Sequence, residues 1–182
     1  MGHGGPAASG ILSRKAGLPP IVHGDARVLI LGSLPGDASL AAVQYYAHPR
    51  NQFWTLLGRV IGCDLAAMEY RARIKAIELA GVALWDVVGE AHRPGSLDQK
   101  IRHARLNNLR KFARQLPNLQ AVAFNGKTAA ALAGNAFDTL PLDILHLLSS
   151  SPAYTIGIET KSIKWDTLSR YLALEPAAAT PI

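Results

Sequence analysis

Val28-Leu29-Ile30-Leu31-Gly32-Ser33-Leu34-Pro35-Gly36 is the stretch that decides the fold of this 182-residue chain. Four apolar residues in a row, stopped by a Gly/Pro turn, read as a strand buried on both faces, the pattern of a parallel sheet. Outward from it, periodicities alternate. Phe53, Leu57, Val60 and Ile61 fall on one face of a helix over about 52–61. A second helix over about 67–79 stops at Gly81, and 82–88 is the next strand. Leu106, Leu109, Phe112 and Leu116 space a helix that ends before Pro117. Residues 121–124 form a third strand, turned by Asn125-Gly126 into a short Ala-rich helix. Residues 142–148 form a fourth strand, and a closing helix over about 160–174 is expected to bury Ile163, Leu168 and Leu172. Strands separated by helices imply a parallel sheet covered on both faces. The expected fold is α/β: a three-layer α/β/α sandwich around a central four-stranded parallel sheet. Residues 1–20 and 175–182 read as loose tails flanking one domain over 21–174.

Composition narrows the class. An apolar content of 49% suits a globular chain. No run reaches the ~18 apolar residues of a membrane span, and residues 1–20 lack the apolar core of a signal peptide, so the expected location is the cytoplasm. The single cysteine, Cys63, excludes an internal disulfide and a four-cysteine cluster, and reads as a packing residue. The net charge is +6. Arg93, Lys100, Arg102, Arg105, Arg110, Lys111 and Arg114 stand against one acid, Asp98. Charge alone leaves two readings open: a surface for a polyanion such as nucleic acid, or a solvated helix face.

In parallel sheets of this kind, sites gather at the C-terminal ends of the strands. The first such end, Gly32-Ser33-Leu34-Pro35-Gly36, is not a phosphate-cradling P-loop, since the Gly-Lys-Ser/Thr ending is absent, and the spacing of a dinucleotide-binding turn also fails. Ten residues on comes Tyr45-Tyr46-Ala47-His48-Pro49-Arg50-Asn51-Gln52-Phe53-Trp54, which crowds aromatics, a histidine, an arginine and an asparagine before a helix. Gly-Ser-Leu-Pro-Gly followed by this run resembles motif 1 of the uracil-DNA glycosylase superfamily. It is similar to the corresponding run of the mismatch-specific uracil/thymine glycosylases, and more so to that of the hypoxanthine-DNA glycosylases, also called family 6. Leu148-Ser149-Ser150-Ser151-Pro152-Ala153 resembles that family's motif 2, and Asn125 stands where the family has a second functional asparagine. The resemblance spans about residues 27–171. It departs from the family at Leu148, where proline is usual, and from the better-known members at Leu34, where Asp or Asn positions the attacking water.

The resemblance implies a DNA-repair enzyme with a uracil-DNA glycosylase-like fold. It would flip a deaminated base, hypoxanthine or uracil, from DNA and hydrolyse its glycosidic bond. Leucine at position 34 cannot hold water, so the resemblance assigns catalysis to Asn51, whose alternative role is to cap the following helix. Tyr46 would stack on the flipped base and Asn125 would bond its edge; core packing and an Asn-Gly turn are the plainer readings. Ser33 and Leu34 could offer backbone N–H groups to the base. His48 would contact a phosphate or serve structurally. Ser149, Ser150, Ser151 and Pro152 would press on the DNA backbone or be a plain loop. The basic run would add salt-sensitive attraction. Water orientation and charge stabilisation suffice for such a leaving group, so a carboxylate-free, metal-free and cofactor-free site is expected. No Asp/Glu pair recurs at the strand ends, where Asp86 stands alone, which argues against metal-bound phosphate chemistry. The partner is DNA with deaminated bases, not a membrane, and the protein is expected to be a monomer. Lys127 and Lys161 are candidates by position for a lyase step, which is not expected. The rival readings are a nucleotide-binding or phosphohydrolase domain and a non-catalytic binder of damaged DNA.

Overall fold

The structure is a computed structural model that describes residues 14–172. In chain order the strands are β1 Arg14–Ala16, β2 Val28–Gly32, β3 Val82–Asp86, β4 Val88–His92, β5 Arg102–Leu106, β6 Ala121–Asn125 and β7 Asp143–Leu147. The helices are α1 Asp37–Ala42, α2 Phe53–Ile61, α3 Tyr70–Ala80, α4 Leu109–Ala113, α5 Lys127–Ala133 and α6 Ile158–Trp165. The expected central sheet is present in the order β3-β2-β6-β7 with every pair parallel. Strand β2 is buried along its whole length. Its residues alternate between two cores. Val28 and Ile30 pack with Phe53, Leu57, Ile77 and Trp165 from α2, α3 and α6. Leu29 and Leu31 pack with Leu109, Ala113, Ala129 and Phe137 on the α4–α5 side. A strand sandwiched in this way has no wet face, and this explains its unbroken apolar run.

Local signals end the helices where expected. Gly62 and Gly81 take positive φ values of 73° and 90° to close α2 and α3. Gly58 is needed inside α2, because a Cβ there would lie 2.4 Å from the Cys63 carbonyl oxygen. Cys63 is half-buried and lies against the larger core, its sulfur 3.9 Å from that of Met68.

Elsewhere the structure corrects the sequence reading. The strand expected over 82–88 ends at Asp86, and the chain then enters a second, antiparallel sheet ordered β1-β4-β5. Its outer strands are polar and largely exposed, so they carry no apolar alternation to read. Strand β1 lies in the segment expected to be a loose tail. Gly17 N–H donates to the Gly89 carbonyl, and Tyr45 Oη donates to the carbonyls of Leu18 and Pro19. Residues 14–20 are therefore part of the fold; the rest of the N-terminal tail and the expected tail 175–182 lie outside the described residues. The helix expected around 106–116 shrinks to α4, because Leu106 pairs with Val88 and is half exposed. The closing helix begins earlier, at Ile158, and passes into a 3-10 turn, Asp166–Arg170. Leu168 and Leu172 are buried as expected, but Ile163 is 70% exposed and Trp165 fills the core instead. No helix among the described residues is long and apolar enough to cross a membrane.

Candidate functional site

The C-terminal ends of the parallel strands open into a cavity of about 550 Å³, within the ~300–1,000 Å³ of typical small-molecule sites. Every residue given a catalytic, base-binding or DNA-contacting role from the sequence lines it, together with Asp86 and Asp98.

The turn after β2 forms one wall. Ser33 Oγ donates to the Asp98 carboxylate at 2.6 Å. The Leu34 side chain packs on Val88 and Ala91. The Leu34 and Pro35 carbonyls both accept from the Arg93 guanidinium, at 2.9 Å for Leu34, and Arg93 Nε donates to the Gly95 carbonyl. Arg93 is 1% exposed. It is therefore an internal clamp on the turn and drops out of the basic surface in which the sequence placed it. Arg110 is also engaged, with the carbonyls of Asn135 and Ala136. Lys100, Arg102, Arg105, Lys111 and Arg114 remain exposed, with Arg105 paired to Glu90.

A second wall comes from the segment before α2. Tyr46 adopts a left-handed backbone with φ 53°, a conformation uncommon for a bulky residue. Its ring lies flat on Phe53, with 3.6 Å between centroids and 6° between planes. One ring face is thus occupied, and a base could use only the other. Burial pushes the Tyr46 phenol up, with Asp86 adding to the rise and the Asn125 amide opposing it. Asn51 Oδ1 accepts the Phe53 N–H at 3.0 Å, a side-chain turn that leads into α2 from one residue before its N-cap, Gln52, and fixes the amide's orientation. His48 Nδ1 accepts the Arg50 N–H, which places the ring proton of a neutral His48 on Nε2.

The third wall joins β6 to the serine loop. Asn125 Nδ2 donates to Ser150 Oγ and Asn125 Oδ1 accepts the Ser150 N–H, both at 2.9 Å. Both ends of the amide are engaged, so one N–H and one lone pair remain for any ligand. Ser150 is fully buried and faces Asn125 rather than solvent, which corrects its assignment to the DNA-contacting surface; Ser149, Ser151 and Pro152 stay partly exposed. Gly126 has φ 100°, and a Cβ there would lie 3.0 Å from that of Ser149. Behind the loop, Gln52 N–H donates to the Ser150 carbonyl, Trp165 Nε1 to that of Leu148, and Lys161 Nζ to Gln52 Oε1 and the Tyr154 carbonyl. Lys161 is 1% exposed, is not among the lining residues, and has its pKa lowered by burial. Lys127 lines the cavity.

The sequence reading gave the acids no part in the site. Asp86 ends β3, is buried, and its Oδ2 has no hydrogen-bond partner among the described residues. Burial, then the neighbouring Asp98 carboxylate, pushes its pKa up to about 7 against the pull of Arg93. Asp98 is raised by burial, with Ser33 and Arg93 opposing. The site is therefore not carboxylate-free: Asp86 is the one acid at an end of the four parallel strands, and Asp98 reaches the cavity from the 3-10 turn Asp98–Lys100. Trp85-Asp86 at a strand end was the available signal; Asp98 was hidden in the basic run. No group of three or more potential metal ligands occurs among the described residues.

Comparison with known proteins matches residues 19–173 to the uracil DNA glycosylase superfamily. The chain is 38% identical over 152 residues to a hypoxanthine DNA glycosylase of Methanosarcina barkeri, covering 84% of this chain and 96% of that protein. It is 34% identical over 161 residues to a hypoxanthine DNA glycosylase of Methanosarcina acetivorans, covering 86% and 99%. The solution NMR structure of a Methanosarcina acetivorans protein described as a candidate uracil DNA glycosylase superposes with a TM-score of 0.79 at 32% identity, covering 87% of this chain and 98% of that one.

Proposed function

This chain belongs to the uracil DNA glycosylase superfamily and is a DNA glycosylase, and from that premise we propose that it releases hypoxanthine or uracil from DNA, leaving an abasic site. The observation that carries the choice of site is convergence. The turn after β2, the Tyr46 to Asn51 segment, Asn125 and the serine loop are far apart in sequence yet line one cavity.

Within that cavity the flipped base lies against the free face of Tyr46. The remaining amide positions of Asn125 and the backbone N–H groups of Ser33 and Leu34 meet its edge. Asn51 holds the attacking water: its Oδ1 is fixed by Phe53 N–H, and the rest of the amide orients a solvent molecule toward C1′. His48, Ser149, Ser151 and Pro152 form the rim that meets the phosphates, with the exposed lysines and arginines adding long-range attraction. The domain acts as a monomer, without a metal, and stops at the abasic site.

Oligonucleotides carrying inosine, uracil or xanthine, single- and double-stranded, test this after alkali treatment. We expect strand cleavage at inosine or uracil, unchanged by EDTA or magnesium, and no protein–DNA adduct on borohydride reduction. Absence of cleavage at every base would refute the enzyme reading. An adduct lost on Lys127→Ala would refute the monofunctional one.

A further inference from the structure

We propose that Asp86 is the acid of this site, a protonated carboxyl at the cavity floor that gives its proton to the departing base. The inference rests on the glycosylase reading above.

Geometry carries it. Asp86 stands opposite Gly32 in the parallel β2–β3 register, at the strand ends where the cavity begins. Gly32 leaves room for it: a Cβ at position 32 would lie 2.5 Å from Asp86 Oδ1 and 3.2 Å from Tyr46 Oη. Two oxygens are thus gathered at one side-chain-free point of the floor. Asp86 Oδ2 and Tyr46 Oη are both buried without a hydrogen-bond partner among the described residues, the Asn125 amide acting on the phenol from outside bonding geometry. Buried polar groups are nearly always paired, so two orphans beside a cavity indicate that something entering it completes them.

The charge around Asp86 keeps it protonated. The nearby cation, Arg93, is committed to the carbonyls of Leu34, Pro35 and Gly95 and lies 3.7 Å from Asp98. The other titratable groups acting on this region are Asp98, Tyr45 and Tyr46; β2 contributes only Gly32, and Asn125 on β6 is neutral. Burial and Asp98 raise the carboxyl to about 7. An acid whose pKa lies near working pH is the efficient kind.

The step balances. The C1′–N9 bond of deoxyinosine breaks and its electron pair goes to the purine. The Asp86 proton moves to a purine nitrogen, so neutral hypoxanthine leaves. Water held by Asn51 adds its oxygen to C1′, and the proton it loses passes to solvent, from which Asp86 is reprotonated.

Single-turnover base release from an inosine oligonucleotide, between pH 5.5 and 9, tests this for the wild type and Asp86→Asn. We expect the wild-type rate to fall about tenfold per pH unit above roughly pH 7–8. Asp86→Asn should be at least ~100-fold slower at pH 6.5, the usual scale of general-acid catalysis, and independent of pH. On an oligonucleotide bearing 5-fluorouracil, whose anion leaves more easily, the loss should shrink below about tenfold. Circular dichroism and binding to the inosine strand check that the variant is folded. A variant within threefold of wild type, or an equal loss on both bases, overturns the assignment. If the variant does not fold, the wild-type profile decides: a flat profile from pH 6 to 9 overturns it. Release by the wild type without these signatures defeats only this inference. No release from any deaminated base defeats the glycosylase reading, and this inference with it.

Discussion

In the proposed reading, Asn51 serves local structure and chemistry together. Its Oδ1 accepts the N–H of Phe53, the first residue of α2, and the proposal leaves the rest of the amide for water. Asn51→Ala should therefore slow base release at least ~100-fold while lowering stability by only about 0.5–2 kcal/mol, the cost of a lost cap. Rate and thermal unfolding, measured on the same sample, separate the two effects. Asp86 links pH to stability. Its pKa near 7 means the folded state binds this proton more tightly than the unfolded chain, whose carboxylate titrates near ~4. Native stability from this group is complete below pH 4 and is lost as pH rises toward 7. Asp86→Asn removes that loss. Between pH 5 and pH 8 the unfolding free energy of the variant should gain on the wild type by on the order of 2 kcal/mol in urea titrations. Asp98 is present in both proteins, so its own titration largely cancels. An unchanged difference would mean that Asp86 titrates normally.

Among the elements, the turn after β2 depends on a residue that the sequence places elsewhere. Arg93 follows β4, yet its guanidinium holds the Leu34 and Pro35 carbonyls. Arg93→Leu leaves these carbonyls without their donor and Asp98 without its cation, and should destabilise the protein by about 3–5 kcal/mol, the scale of breaking one side of a buried charged network. Differential scanning calorimetry would show it. The serine loop is secured likewise by Asn125. Asn125→Ala strands the Ser150 N–H and hydroxyl, so faster amide exchange at 149–152 is expected along with slower base release. If release from inosine slows while exchange is unchanged, Asn125 acts on the base alone. Helix α2 and strand β2 were legible because each buries its apolar residues with a regular period. Strands β1 and β5 were not, because both are short and polar and gain their pairing from β4.

Across the whole molecule, the net charge of +6 attracts DNA mainly through exposed residues. Removal of Arg93 from that surface leaves fewer cations than the sequence suggested. Binding to undamaged duplex should weaken as salt rises, with the slope reporting the phosphates neutralised. Lys100→Ala and Arg102→Ala together should reduce that slope, measured by fluorescence anisotropy, whereas an unchanged slope would put the contact elsewhere. The four parallel strands and most of the helices between them were readable from residue types and spacing, since burial periodicity and turn chemistry are local properties, whereas the segment from Tyr46 to Asn51 stood out through its resemblance to a family motif. The second sheet, the internal role of Arg93, the engagement of Asn125 by Ser150 and the acid at position 86 arise from contacts between distant segments. The sequence alone therefore determined the layered fold and the segments that line the cavity opened by Val28–Gly32. Only the tertiary structure decided which side chains face that cavity and which are buried, because burial and electrostatic environment depend on what the rest of the chain brings alongside.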